Sequence, residues 1–157
     1  MGGRVVIGVG NDLRRDDGVG PAVVDVLRSL SPVPPDLAGA TLAVTDGEPT
    51  RLIDLWADAD LAVVVNAVRS PTDPPGRRYE LNLTEMAGTD APPVSSHHVG
   101  FGDTVALAGT LDRLPRELVV LAVTGADFGF GSGLTKEVAD CVVPIALRVR
   151  EVLSGHD

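Results

Sequence analysis

The chain has 157 residues, the length of one ordinary domain, and 44% of them are apolar, so it is able to bury a sizeable core. Its formal net charge is −9 and its basic residues are scattered, which excludes the clustered lysines and arginines of a nucleic-acid-binding protein. An acidic surface suits a basic peptide or a cation as partner, or serves only solubility.

The single cysteine, Cys141, excludes a disulfide framework and a cysteine-based metal cluster. Apolar neighbours at helical spacing predict that this thiol is buried and unreactive. The N-terminal segment has no charged leader followed by a long apolar run, and no other stretch is long and apolar enough to span a bilayer. We therefore expect a cytoplasmic protein.

Predicted strands and helices alternate along the chain. A β-branched strand over 4–7 enters a glycine-containing loop, and Pro21 lies in the first turn of an amphipathic helix. The predicted elements that follow are a strand at 41–45, a helix at 49–56, a strand at 61–65, an edge strand at 79–83, a helix at about 98–108, a strand at 118–123 and a helix at about 135–153 with a kink at Pro144. This alternation predicts a three-layer α/β/α domain with a mostly parallel sheet.

Polar side chains follow several of the predicted strands. Ligands of open α/β sheets bind outside the carboxyl ends of the strands, so these positions are candidates for a functional site. Asparagine, aspartate and histidine supply the candidate side chains, which are Asn11, Asp16, Asp17, Asp46, Asn66, His97 and His98.

The acidic pair Asp16 and Asp17 has two interpretations. Adjacent carboxylates repel each other unless a cation, a hydrogen-bond donor or a helix N-terminus offsets their charge. Asp17 either caps the helix that begins near Gly20, or the pair binds a ligand or takes part in catalysis.

The adjacent histidines His97 and His98 also have two interpretations. Together with carboxylates they would form a site for Ni²⁺, Zn²⁺ or Fe²⁺. Alternatively, they are exposed side chains without a specific role at the start of a helix. The spacing does not decide between these two interpretations.

Two other motifs match their patterns only weakly. Gly8-Val9-Gly10 follows a strand as in a dinucleotide-binding loop, but Leu13 occupies the position of the third glycine and the nearby acids would repel a pyrophosphate. Ser95 and Ser96 precede a histidine without the Gly-x-Ser-x-Gly turn of a serine hydrolase.

The run Gly8-Val9-Gly10-Asn11-Asp12-Leu13, followed by the acidic pair and Gly18-Val19-Gly20, resembles the opening of the maturation proteases of nickel–iron hydrogenases. The resemblance continues in order over nearly the whole chain. Its further segments are Asp46-Gly47, Asn66-Ala67, Ser96-His97-x-x-Gly100 and Gly133-Leu134-Thr135.

The resemblance implies a single domain over 1–157 with a twisted five-stranded sheet. It implies an aspartic-type endopeptidase that removes a C-terminal peptide from the nickel-loaded large-subunit precursor, which would be its protein partner. Nickel would belong to that substrate, no cofactor would be tightly bound, and the protease would be a monomer. Mapped by motif, the catalytic and metal-recognising residues are Asp17, with Asp16 beside it, Asn66 and His97.

Asn66 departs from the family pattern, which has aspartate at this position. An amide oxygen is able to coordinate a metal, but it carries no negative charge and cannot act as a general base. Natural variation, compensation by Asp46, Asp16 or His98, and an introduced substitution all remain open. So does a different function, in which a non-catalytic or disabled relative binds the metallated precursor without cutting it. A nucleotide-binding α/β domain is a third and less favoured interpretation.

Overall fold

The computed structural model describes residues 3–82 and 101–155, with side chains from residue 105 onward in the second range. Its strands are β1 (Arg4–Val9), β2 (Ala40–Thr45), β3 (Leu61–Val68), β4 (Arg78–Asn82) and β5 (Glu117–Thr124). They form a five-stranded sheet in the order β2-β1-β3-β5-β4. All neighbours are parallel except β4, which is antiparallel to β5 at one edge. The predicted mostly parallel sheet is confirmed.

Helices cover both faces of this sheet. They are α1 (Val19–Arg28), α2 (Pro49–Trp56), α3 (Phe101–Thr110), α4 (Lys136–Ala139) and α5 (Val142–Ser154), and a 3-10 helix at Arg15–Gly18 precedes α1. Apolar side chains of α1 and α5 pack on one face, and those of α2 and α3 pack on the other. The predicted three-layer α/β/α arrangement is therefore confirmed. Within the described ranges, no helix has the length and apolar character needed to cross a membrane.

The central strand β3 has all eight of its residues buried. Successive side chains of a strand point to opposite faces, so Val63 and Val65 pack towards α1 and α5, while Val64 and Val68 pack towards α2 and α3. This double burial explains why the strand is a nearly continuous apolar run in the sequence.

The predicted C-terminal helix is divided in the structure. We expected one helix with a kink at Pro144, but α4 ends at Ala139 and a new helix begins at Val142. A proline ring excludes the carbonyl group four residues earlier, which here belongs to Asp140, and proline has no N–H to donate. Pro144 therefore lies in the first turn of α5, where its missing donor is not needed. Cys141 in the break is buried as predicted, and burial raises the pKa of its thiol.

Helix α1 approaches the sheet very closely at Gly20. A Cβ atom at this position would lie 2.5 Å from the carbonyl oxygen of Val65 and 2.6 Å from the backbone nitrogen of Val9. Since both of these atoms belong to the backbone of central strands, neither is able to move aside. The Gly20 of the sequence motif is therefore required for the packing of α1 on β1 and β3.

Gly20→Ala is expected to lower the free energy of unfolding by at least about 2 kcal/mol, because the added methyl group separates α1 from the sheet. Gly109→Ala in α3 is the matched control, since the nearest atom to its Cβ is Leu114 Cδ1 at 3.6 Å. That variant is expected to gain about 0.5–1 kcal/mol from helix propensity. Urea unfolding measures both values, and equal effects of the two substitutions would contradict this description of the packing.

Candidate functional site

The acidic loop after β1 and the residue Asn66 lie at the same edge of the sheet. Gly8 of β1 pairs in parallel with Val65 of β3, so Asn66 follows directly at the next position of the neighbouring strand. The 3-10 helix that carries Asp16 and Asp17 contacts β3. The structure therefore brings two of the three predicted site segments together.

Asn66 lies inside β3, whereas we expected it to follow the end of the strand. Pairing with β5 continues through Val68, which extends the strand beyond the predicted end. Asn66 is only 2% exposed, and its Oδ1 atom has no hydrogen-bond partner in the described part of the chain. A buried acceptor without a partner destabilises a protein by about 1–3 kcal/mol. The position is therefore not explained by stability, which makes this oxygen a candidate for a functional contact.

Strand alternation places Asn66 on the face that carries Val64 and Val68, which is the face covered by α2 and α3. Helix α3 begins at Phe101, four residues after His97 in the sequence. His97 and His98 themselves lie outside the described residues. Their convergence with Asn66 stays a prediction.

Asp17 is half-buried, and its carboxylate is held by the loop that precedes it. The N–H group of Asn11 donates a 2.8 Å hydrogen bond to Oδ2. Helix capping, one of the two interpretations of this residue, is wrong, because the N-cap of α1 is Gly18 and no side chain bonds there. Oδ1 accepts no hydrogen bond from the described residues. Asp17 is thus oriented through one oxygen while the other is open to a ligand.

Gly10 allows the loop to close over Asp17. Its φ of +144° lies in a region that side chains rarely adopt, and a Cβ there would lie only 1.8 Å from the carbonyl oxygen of Asp17. The glycine of the Gly-Val-Gly-Asn run is therefore required for the close approach of this loop to the backbone of Asp17.

Asp16 has a different role from its neighbour. It is fully buried, and its carboxylate accepts the backbone N–H groups of Ala126 at 2.7 Å, Asp127 at 3.0 Å and Thr135 at 2.7 Å, together with the Thr135 hydroxyl at 2.9 Å. Burial alone raises the pKa of Asp16, but the hydrogen bonds from Thr135, Ala126 and Asp127 together outweigh it and hold the pKa below its usual value. Because these bonds engage both oxygens, Asp16 is not free to compensate for Asn66.

The bonds of Asp16 join the loop after β1 to the loop after β5. The same two loops are connected by hydrogen bonds from Arg15 N–H to the Gly131 carbonyl at 3.0 Å and from Gly131 N–H to the Leu13 carbonyl at 2.9 Å. An ion pair between Arg15 and Asp127 at 3.5 Å adds to them. The two loops therefore form one unit. This link was not predicted from the sequence, although the Gly133-Leu134-Thr135 segment of the family resemblance, which contains Thr135, was a signal of it.

Asp46 is an exposed residue directly after β2, the strand next to β1. The N–H group of Glu48 donates to its Oδ1 at 3.1 Å. The loop after β1 is tied to this strand, because Gly10 N–H donates to the Thr45 carbonyl at 2.9 Å. Asp46 thus lies at the same sheet edge, and the hypothesis that it compensates for the missing charge of Asn66 remains open.

Within residues 3–82 and 101–155, no three histidine, cysteine, aspartate or glutamate side chains are grouped closely enough to hold a metal ion. The predicted donors that the structure does describe are one carboxylate, Asp17, and one amide oxygen, Asn66. Both kinds of oxygen are ligands for divalent cations, and an added imidazole nitrogen would make the set better suited to Ni²⁺.

A family model described as hydrogenase maturation protease matches residues 41–151, which is most of the chain. The chain belongs to the hydrogenase maturation protease family. The matched range includes two of the predicted site residues, Asn66 and His97.

Similar proteins agree with this family membership. The hydrogenase expression/formation protein HupD of Bradyrhizobium diazoefficiens is 28% identical over 144 residues, covering 89% of this chain and 72% of the relative. The hydrogenase 2 maturation protease of Escherichia coli is 25% identical over 149 residues, covering 95% of this chain and 89% of the relative. The solved structure of the hydrogenase maturating endopeptidase HybD from E. coli matches with a TM-score of 0.75 at 22% identity, covering 99% of this chain and 93% of that one, which supports the fold.

Proposed function

We propose that this chain is an endopeptidase that removes a C-terminal peptide from the nickel-loaded precursor of a hydrogenase large subunit. The observation that supports the proposal is that the acidic loop carrying Asp17 and the strand position Asn66 lie at the same sheet edge, in a member of this family. The first supplies a carboxylate oxygen that is open to a ligand. The second supplies a buried oxygen without a partner in the described chain.

Nickel is part of the substrate in this proposal. Carboxylate, amide oxygen and the predicted imidazole of His97 suit Ni²⁺ that is already bound by the precursor. A metal held between the two proteins would fix the scissile bond relative to an attacking water and polarise the reacting groups. The hydrogen bond from Asn11 fixes one Asp17 oxygen, so the orientation of this carboxylate is set before the precursor arrives.

The second candidate function is a binding protein that holds the metallated precursor without cutting it. Asn66 favours this alternative, because an amide contributes no negative charge to a metal and accepts no proton from a water molecule. The two candidates share one site and one partner, and they differ in whether the wild-type chain cleaves.

Asp17→Ala and His97→Ala are each expected to slow cleavage of the nickel-loaded precursor by a factor of at least about ten, because each removes a group that would contact the metal. Asp12→Ala is the matched control, since Asp12 is an exposed acid in the same loop and its removal is expected to leave the rate unchanged. Intact-mass spectrometry of the precursor over time measures the rate, and thermal unfolding verifies that each variant folds. If both site variants cleave as fast as the wild-type chain, the site assignment is wrong.

A further inference from the structure

Two large apolar side chains are exposed beside the candidate site. Leu13 in the loop after β1 is 62% exposed, and Phe130 in the loop after β5 is 89% exposed. Their backbones are neighbours, because the N–H group of Gly131 donates to the Leu13 carbonyl at 2.9 Å. Leu13 and Phe130 are thus two exposed apolar side chains on joined loop segments, and we call them the apolar patch; exposed apolar patches near a functional site often bind another protein.

Two arginines border this patch and rest on aromatic rings. The Arg14 guanidinium lies 5.9 Å from the centre of the Phe130 ring, and its Nε donates to the Phe128 carbonyl at 3.2 Å. The Arg69 guanidinium lies 4.4 Å from the centre of the Phe128 ring. Cation–π contacts hold a guanidinium in place while leaving donors for an anion. We call Leu13, Arg14, Arg69, Phe128 and Phe130 the docking surface.

The docking surface carries two positive charges in an acidic protein. The chain carries a net charge of −9, and its ion pairs in the described ranges use other basic residues, such as Arg148 with Glu80 and Arg150 with Asp36. Neither Arg14 nor Arg69 forms an ion pair with a carboxylate among the residues that the structure describes. A carboxylate brought by a partner would find two positioned guanidinium groups, which bind carboxylates with paired hydrogen bonds.

The docking surface also adjoins the candidate site, and its two loops are joined by hydrogen bonds. Asp16 joins the two loops that carry Leu13 and Phe130 through four donors. In the sequence, Arg14 precedes Asp17 by three residues and Arg69 follows Asn66 by three residues. A partner bound here would therefore be placed over the site at little cost in conformational entropy.

We propose that the docking surface binds a segment of the hydrogenase large-subunit precursor that presents an apolar side chain next to a carboxylate. The inference rests on the proposed function and adds to it a recognition element separate from the metal-reading residues. The apolar side chain packs against Leu13 and Phe130, and the carboxylate pairs with Arg14 and Arg69. Such a surface selects the precursor by its protein sequence, whereas the site selects it by its nickel.

The test uses Phe130→Ala, Arg14→Glu and Arg69→Glu in the full chain, with the nickel-loaded precursor as probe. Each variant is expected to weaken precursor binding at least about fivefold, as loss of an anchoring side chain does in protein interfaces. In cleavage assays, KM is expected to rise by a similar factor while kcat stays within about twofold, because uniform binding is lost and the site is intact. The binding of the wild-type chain is expected to weaken with salt more steeply than that of the arginine variants.

The controls are Val33→Ala and Arg116→Glu. Val33 is 65% exposed, the Arg116 side chain is 84% exposed, and neither belongs to the loops of the site. Unchanged precursor binding by all three docking variants overturns the proposal, whether or not the wild-type chain cleaves. Self-association of the chain that Phe130→Ala abolishes, with precursor binding intact, assigns the surface to a second copy and overturns it as well. If the wild-type chain binds the precursor through this surface but cleaves nothing, the docking proposal stands and the proposed protease function fails.

Discussion

Asn66→Asp is expected to increase cleavage of the nickel-loaded precursor by a factor of at least about ten. The substitution places a negative charge where β3 meets the acidic loop, so that the site offers the metal two carboxylates instead of one. The same variant is expected to be less stable than the wild-type chain at neutral pH by several kcal/mol, because the new carboxylate is buried at a position where Oδ1 has no partner in the described chain. Activity and stability thus change in opposite directions.

Asn66→Leu is the control for this variant. Leucine fills a similar volume without a polar oxygen. The free energy of unfolding of this variant is therefore expected to lie between the wild-type value and about 1 kcal/mol above it. It is expected to cleave no faster than the wild-type chain. Urea unfolding and precursor cleavage measure the two effects. If the Asn66→Asp variant cleaves no faster than the wild-type chain, residue 66 does not contribute to recognition of the metal. If only the Asn66→Asp variant cleaves, the wild-type chain is a binding protein.

Asp16→Asn is expected to lower the free energy of unfolding by at least about 3 kcal/mol at neutral pH. The wild-type carboxylate accepts hydrogen bonds from three backbone N–H groups and a hydroxyl. In the asparagine side chain an NH₂ group replaces one carboxylate oxygen, so it faces some of these donors without being able to accept from them. Buried N–H groups without acceptors then destabilise the two joined loops. Asp12→Asn, an exposed change in the same loop, is expected to stay within about 0.5 kcal/mol of the wild-type chain.

The destabilisation by Asp16→Asn depends on pH in a defined direction. The pKa of Asp16 is held below its usual value in the folded protein, so the carboxylate stabilises the fold at every pH above its unfolded pKa of about 3.9. This stabilisation is lost as the pH falls through the folded pKa. The difference in unfolding free energy between the wild-type chain and Asp16→Asn is therefore expected to be constant above about pH 5 and to shrink below about pH 4. A difference that does not change on acidification would show that the carboxylate charge is not what joins the loops.

Most of the fold was predictable because its signals are local. Buried parallel strands are apolar runs in the sequence. Pro49 and Trp56 are the first and last residues of helix α2 both as predicted and in the structure. The end of β3 was not predictable from the polar residue Asn66, because pairing with β5 extends the strand past it. The break before α5 depends on where the backbone carbonyl of Asp140 lies relative to Pro144, which a helical pattern does not show.

The candidate site was predictable in its residue types but not in its division of roles. Asp16 and Asp17 are chemically identical neighbours in the sequence. Their roles differ because of partners more than 100 residues away in the sequence. Thr135 and Ala126 bind the carboxylate of Asp16, whereas the carboxylate of Asp17 stays half-buried in the loop. Arg69 and Phe130 carry no motif at all, and only the folded chain places them beside the acidic loop.

Intact-mass spectrometry of a matched large-subunit precursor tests the proposed activity most directly. The precursor is prepared with and without nickel and incubated with the unmodified wild-type chain. The expected result is the loss of one C-terminal peptide, at one position, from the nickel-loaded form alone. An unchanged mass of the nickel-loaded precursor, or equal cleavage of the nickel-free form, would contradict a protease that reads the nickel of its substrate.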